Sequence, residues 1–176
     1  MWAIVKDNEV IETFSNLKGL VIDNIQYSRN IFSFRWSEAE RNAIGVYTIV
    51  HDNSNKKDQD YYTNTDVSYT FADGKVTASY GTATAKELDA VKSKKKNSIK
   101  RTTSDLLTPT DWYVIKATEV ENYSVPEAMT TYRADVRTAS NDMESKIDAC
   151  TTIDELEALF VVTDNSRPIG DFPEVV

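Results

Sequence analysis

The chain has 176 residues, a formal net charge of −8 at pH 7, and 40% hydrophobic and 27% charged residues, an ordinary composition for one globular domain or a small pair. A chain of this length can bury about 70% of its unfolded surface, so a real hydrophobic core is expected. The acidic balance argues against nucleic-acid partners, which need clustered Lys and Arg. No apolar run suits a membrane span or a signal peptide, so we expect an aqueous location without a membrane partner.

The first part of the chain is predicted to be rich in β-strands. Residues 2–5 and 9–12 flank a turn-prone connection and predict an opening hairpin. Residues 17–25 favour a loop carrying a short strand, and residues 31–36 favour a strand or an extended entry to a helix. Further β-prone runs follow at 46–50, 61–65, 67–71 and 76–80.

The pattern Ser/Thr-x-x-Glu, typical of helix starts, occurs before four predicted helices. Its first residues are Ser37, Thr84, Ser124 and Thr152. Gly45 follows the first of these helices, where a left-handed residue is favoured. The other helices are predicted over about 85–107, 126–149 and 153–160, each with apolar residues at helical spacing.

Between the two long helices we predict a corner with a short strand-like segment. Pro109 ends the first helix, because proline lacks the backbone donor and disfavours helix in the residue before it. Trp112 to Ile115 is apolar and β-prone, and it is expected to pack in the corner between the helices. We predict that Asp111 accepts nearby backbone N–H groups. We also predict that Arg133 binds Asp111 or a loop carbonyl.

These patterns predict an α+β protein with an N-terminal antiparallel β-rich module and a C-terminal helical module. We place the β-rich docking module at 1–82, the helical module at 83–163 and an extended tail at 164–176. The tail assignment follows from its Pro and Gly content.

Tyrosines cluster around the predicted hairpin and offer one candidate binding face. Tyr61, Tyr62, Tyr69 and Tyr80 give large contact area at low entropic cost, which suits a sugar or a protein partner. The alternative is that they simply cover the sheet.

One stretch reverses the acidic trend. Six cations and no acid occur within residues 92–101, namely Lys92, Lys94, Lys95, Lys96, Lys100 and Arg101. Such a polarised layout favours docking on an acidic surface, including one on another copy of the chain, whereas the simpler alternative is a solvated helix face.

The sequence predicts no catalytic residues, no metal site and no cofactor. His51 is the only imidazole and Cys150 the only thiol, with no Gly-x-Ser-x-Gly turn and no Gly-rich phosphate loop. Cys150 is expected to be a small buried residue. The acidic loop 51–60 lacks the spacing of an EF-hand calcium loop.

Two segments resemble proteins associated with the tails and tail fibres of tailed bacteriophages. The first resembles their LL-x-x-TDW, V-P and Y-R-x-x-x-R pattern, and its residues are Leu106, Leu107, Thr110, Asp111, Trp112, Tyr113, Val114, Ile115, Val125, Pro126, Tyr132, Arg133 and Arg137. The second, residues 36–47, resembles a W-S-x-x-E-x-x-x-I-G-V-Y element of similar phage proteins. The recurrent positions are Trp36, Gly45, Asp111, Trp112, Pro126, Tyr132 and Arg133.

The resemblance implies a non-enzymatic role among other tail, baseplate or fibre proteins. Our hypothesis is that the chain is a structural protein of the virion, made in the host cytoplasm, that connects other proteins. We leave open that it also associates with itself. An assembly chaperone for the tail fibre, absent from the finished particle, is the alternative. A small envelope hydrolase and a carbohydrate-binding module are the two remaining hypotheses.

Overall fold

The computed structural model describes residues 1–174; Val175 and Val176, which end the predicted tail, lie outside the described residues. The chain divides into two compact units, Met1–Thr84 and the part from Ala85 onward. About 41% of the residues are helical and 24% lie in strands, with the sheet in the first unit and the long helices in the second. The predicted α+β class is confirmed.

The first unit contains one main sheet and a small separate hairpin. Its elements are β1 Trp2–Lys6, β2 Glu9–Phe14, β3 Leu20–Ile22, β4 Ile25–Tyr27, α1 Glu38–Ala43, β5 Val46–Asp52, β6 Tyr62–Thr63, β7 Val67–Ala72 and β8 Lys75–Tyr80, with β9 Thr84–Ala85 at the boundary between the units. The main sheet has the order β2-β1-β5-β8-β7, and β3 pairs with β4. All pairs in the main sheet are antiparallel except β5 with β8.

Side-chain alternation gives the main sheet two apolar faces. The edge strands β2 and β7 approach each other, so the sheet curls around Ala3, Ile49, Val76 and Ala78. The opposite face of β1 and β5 carries Ile4 and Val46 into a second core. Other members of this second core are Phe14, Leu20, Ile31, Trp2, Phe32 and Trp36. Successive strand residues point to opposite faces, which is why adjacent residues Ala3 and Ile4 belong to different cores.

Gly45 joins α1 to the sheet in a position that only glycine suits. Its φ is +79°, and an added Cβ would lie 2.6 Å from the carbonyl oxygen of Val5. Close approach is required because the Gly45 carbonyl accepts a 2.8 Å hydrogen bond from the Val5 N–H. The capping box of Ser37 and Glu40 forms at the other end of α1, as predicted.

The second unit is built from helices. They are α2 Leu88–Leu107, α3 Asp111–Glu119, α4 Glu127–Ala149 and α5 Ile153–Ala158, with a 3₁₀ turn at Thr108–Thr110. α2 packs along α4. Ile99 of α2 and Val136, Met143 and Ile147 of α4 are buried, and the Thr103 hydroxyl bonds that of Ser140 at 2.9 Å.

Two of the four predicted capping boxes are absent. Thr84 lies in β9, and Glu87 itself caps α2 by accepting the Ala90 N–H at 2.8 Å. α4 starts directly after Pro126, so Ser124 does not cap it. The φ of Pro126 suits the start of a helix, but its side chain has no hydrogen-bond acceptor. Ser37 and Thr152 form complete boxes. The capping motif therefore located the start of α1 and α5 but only the region of α2 and α4.

Three other local predictions were wrong. Residues 29–32 form a 3₁₀ turn in place of the predicted strand or extended entry. Residues 112–115 are helical because they belong to α3. The predicted extended tail folds back, since Ile169 is buried and its N–H donates to the Leu159 carbonyl at 2.9 Å.

Replacing Gly45 by alanine should destabilise the first unit more than the same change at Gly74. Both residues have positive φ, which costs about 1–2 kcal/mol for a residue with Cβ, but an added Cβ at Gly74 meets nothing within 4 Å. Gly45→Ala must in addition displace the Val5 carbonyl. Urea unfolding followed by tryptophan fluorescence, to which Trp2 and Trp36 of the second core contribute, measures the difference. Equal losses for the two variants would contradict the close-approach argument.

Acid should weaken the protein through the capping box of α5. The backbone N–H of Thr151, and then its hydroxyl, hold the pKa of Glu155 below its ordinary value of 4.5. A lowered folded-state pKa contributes stability above the ordinary value, and this stability is lost as pH falls through the folded pKa. Glu155→Gln keeps the cap geometry without titrating. Its melting temperature should fall less than that of the wild type between about pH 5 and pH 3.

Glu157→Gln provides the matched control, because it removes the same charge from α5 without touching the capping box. Its acid-induced loss of melting temperature should equal that of the wild type. A wild-type-like loss in Glu155→Gln as well would show that the box does not carry the acid sensitivity.

Candidate protein-interaction surface

The turn between α2 and α3 is held by the guanidinium of Arg133. Its Nη1 donates to the Leu107 carbonyl at 3.1 Å and to the Thr110 hydroxyl, while its Nη2 donates to Asp111 Oδ1 at 2.8 Å. Arg133 is 9% exposed and projects from the first half of α4. We call this arrangement the Arg133 clamp. It ties three groups of the turn to one residue of the facing helix.

Arg133 is chemically suited to this position. The last carbonyls of a helix lack intrahelical partners, and a guanidinium carries several donors in one plane. Thr110 is buried, and its hydroxyl also donates to the Leu107 carbonyl at 2.6 Å. Since the Asp111 side chain is 52% exposed, its ion pair contributes less than the bonds to the carbonyl and hydroxyl. Of the two partners predicted for Arg133, the structure contains the bond to Asp111, while the carbonyl that Arg133 meets ends α2 and does not lie in a loop.

Beside the clamp, an apolar cluster packs residues of α2 and α3 against α4. Met129, Tyr132 and Val136 of α4 are buried, and the side chains around them are Leu106, Leu107, Tyr113, Val125 and Phe172. Tyr132 and Arg133 are adjacent in sequence, so one faces this cluster while the other faces the turn. Pro126 precedes α4, and its carbonyl accepts the Thr130 N–H at 3.0 Å.

No side chain of α3 is fully buried, although Tyr113 packs against the cluster, and the helix presents an apolar surface. Trp112 is 50% exposed and Ile115 is 54% exposed. Val114 and Val120 are also exposed. Trp112 stacks on Tyr113 with ring centroids 3.8 Å apart, and the Lys116 ammonium lies 5.8 Å from the Trp112 ring. We name these exposed residues, Trp112, Val114, Ile115 and Val120, the α3 surface.

The position of Trp112 differs from the prediction. The residue was expected in the corner between two helices, where it would be covered. Because residues 111–119 form a helix, Tyr113 faces the apolar cluster and Trp112 projects outward. Asp111 likewise accepts the Arg133 guanidinium in place of the predicted backbone donors.

The basic stretch faces acidic groups of its own unit. Lys96 pairs with Asp148 at 2.7 Å, Lys92 donates to the Asp148 carbonyl at 3.0 Å, and Lys100 lies 3.4 Å from Glu144. The Lys96 ammonium holds the pKa of Asp148 below its ordinary value, chiefly by its hydrogen bond. The Lys95 ammonium lies 5.0 Å from the Phe160 ring, and Lys94 is exposed on α2. The predicted external acidic surface stays a prediction.

The tyrosine cluster does not form one exposed face. Tyr61 and Tyr62 are buried, and Tyr69 packs with Val76 and Ala78 inside the curled sheet. Tyr80 is half-buried, with the Lys56 ammonium 5.6 Å from its ring. These positions favour the alternative in which the tyrosines cover the sheet.

The other predicted site residues of the first unit have structural positions. Trp36 packs in the second core, with its ring 6.3 Å from that of Tyr27 in an edge-on arrangement. Gly45 makes the close approach to β1 described above.

Within residues 1–174 no group of three or more metal-ligating side chains is suitably arranged for an ion. Cys150 is buried at the end of α4, as predicted, and burial raises the pKa of its thiol. Among the helices that the structure describes, none has the length and apolarity to cross a bilayer. Comparison with protein-family models, with curated proteins and with solved structures found no match to this chain.

Arg133→Met should destabilise the second unit by about 2–4 kcal/mol, because the Leu107 carbonyl and Thr110 hydroxyl lose a buried cationic donor. Asp111→Asn should cost less than about 1 kcal/mol, since that partner is half-exposed. Arg133→Lys keeps the charge without the planar fork and should fall between them. Chemical unfolding followed by helical circular dichroism compares the three. A loss for Asp111→Asn as large as for Arg133→Met would show that the ion pair dominates the clamp.

Proposed function

We propose that this chain is a non-enzymatic structural protein of a tailed-phage particle that connects proteins in the tail, baseplate or fibre region. The observation that carries the proposal is the α3 surface. A helix that has no fully buried side chain and exposes a tryptophan beside two aliphatic residues is suited to covering by another protein.

The way α3 is held supports a binding role. The Arg133 clamp fixes the start of the helix through Leu107, Thr110 and Asp111. Trp112 therefore projects from a stable base, so little conformational freedom remains to be lost on binding. Tryptophan gives a large contact area and is enriched among residues that dominate interface energies.

The family resemblance supplies the phage context. Residues of the LL-x-x-TDW and Y-R pattern contribute to one place in the fold, where Asp111 and Arg133 form the clamp and Trp112 forms the exposed surface. The same pattern thus contains both the support and the binding surface. That combination supports a shared docking role for proteins that carry it.

A tail-fibre assembly chaperone is the second candidate. The same exposed surface would serve it, because a chaperone also binds its client through an apolar patch. The two functions differ in whether the chain stays in the finished particle.

Peptide mass spectrometry of density-purified virions separates the two. We expect the chain at several copies per particle. Its absence from virions, together with abundance in the infected-cell lysate and binding to fibre protein there, would establish the chaperone. Its absence from virions without any association with tail proteins would overturn both.

Trp112→Ser should lower incorporation into the particle by at least about tenfold, because it removes the central aromatic of the α3 surface. Val162→Ser is the matched control, since Val162 is an exposed apolar residue of the same unit outside that surface. Both variants should keep the wild-type circular dichroism spectrum. Equal incorporation of Trp112→Ser and Val162→Ser would remove α3 from the interface.

A further inference from the structure

Phe34 is the most exposed of the large hydrophobic side chains in the first unit. It is 94% exposed and lies between the 3₁₀ turn and α1. The guanidinium of Arg35 lies 6.0 Å from its ring centroid. Arg29 starts the same 3₁₀ turn, so the segment 29–35 that carries the ring has two cations and no acid.

Hydrogen bonds and packing hold the chain around Phe34. The Ser33 N–H and hydroxyl both donate to the Asn30 carbonyl, at 3.0 and 2.7 Å, and the Trp36 N–H donates to the Ser33 carbonyl at 3.2 Å. Phe32 and Trp36, on either side, pack against the second core. Phe34 is thus an exposed side chain on a well-supported turn, which favours binding at low entropic cost.

The same unit contains an apolar groove of about 520 Å³ between β1, β2, the β3–β4 hairpin and the end of α1. Its apolar lining includes Ile4, Ile22, Tyr27 and Ile44. Ile11, Val21 and Ile25 also line it and are 59%, 69% and 56% exposed. Phe34 is almost fully exposed, so it does not occupy this groove in its own chain.

Local irregularities shape the groove. Ile4 pairs with Glu12 and Val5 with Val10, so Ile11 is an extra residue in β2. Such a bulge redirects a side chain, which accounts for an isoleucine turned away from the sheet cores. Lys6 and Asp23 pair at 2.7 Å and tie the turn of the β3–β4 hairpin to the end of β1.

The charges of the groove are complementary to those around Phe34. Asp7, Glu12 and Asp23 line the groove, with Lys6 as the cation among its lining residues. Lys6 already pairs with Asp23. Glu12 pairs with Lys18 at 2.7 Å, so the groove keeps one acid in excess of its cations, while the segment 29–35 around the ring carries Arg29 and Arg35 and no acid. A groove with apolar residues in its lining and a net acidic rim matches an apolar ring on a basic segment.

We infer that the occupant of this groove is Phe34 of a second copy of the chain, with Arg35 facing the acidic rim. The two surfaces differ, so the contact is heterologous, and a pair of copies keeps one free ring and one free groove. Repetition builds a closed ring if the rotation between copies closes, and an open chain if it does not. This inference uses no residue of the α3 surface and does not rest on the proposed function.

Sedimentation velocity over a concentration series tests the contact on the full chain. The wild type should form species larger than a dimer. Phe34→Ser, which removes the ring, and Val21→Arg, which places a cation in the groove, should each weaken self-association by at least about tenfold. Leu17→Ser should behave like the wild type, because Leu17 is an exposed apolar residue of the same unit outside both surfaces.

Mixing the two variants gives the decisive readout. Phe34→Ser keeps an intact groove and Val21→Arg keeps an intact ring, so each alone should be monomeric while their mixture forms a one-to-one heterodimer. A wild type that stays monomeric throughout the series would overturn the inference. So would self-association that survives Phe34→Ser, or a mixture that remains monomeric.

Discussion

The Arg133 guanidinium is the constraint on which the geometry of the second unit depends. It meets a helix-terminal carbonyl, a buried hydroxyl and a carboxylate within five consecutive residues, Leu107 to Asp111. Without it, the carbonyl and hydroxyl would need other partners in a place with little access to water. Because one side chain satisfies all three, the chain can turn from α2 into α3 without a long loop. α3 is thereby positioned by Asp111 and by the packing of Tyr113, and none of its side chains needs to be fully buried to hold it.

This arrangement leaves apolar area exposed that would ordinarily contribute to stability. A tryptophan buries about 150–250 Å² when fully covered, so the exposed half of Trp112 represents roughly 100 Å², or about 2–3 kcal/mol of unused hydrophobic free energy. Covering Ile115 at the same time would add to that amount. The free energy becomes available only when a partner excludes water from α3. The Arg133 clamp, which holds the start of α3, therefore allows the α3 surface to stay uncovered.

Much of the fold could be predicted because local patterns decided it. The hairpin of β7 and β8, the cap at Ser37 and the left-handed conformation of Gly45 after α1 each follow from residues within a few positions of one another. The predicted strand at 112–115 was wrong because β-prone side chains there are overruled by the clamp, whose donor lies 22 residues from Asp111. The partner of Lys96 was equally hidden, since Asp148 is 52 residues away. Pairings at that separation leave no local signal.

The exposed aromatics of the two units share an arrangement that links solubility with binding. Phe34 has the Arg35 guanidinium 6.0 Å from its ring, and Trp112 has the Lys116 ammonium 5.8 Å away. A cation over an exposed ring stabilises the free side chain modestly and places charge beside an apolar patch, which discourages nonspecific association. When a specific partner covers the ring, the long side chain can pivot toward a carboxylate at the rim. The same cation thus disfavours partners that lack an acid, so selectivity and solubility come from one residue.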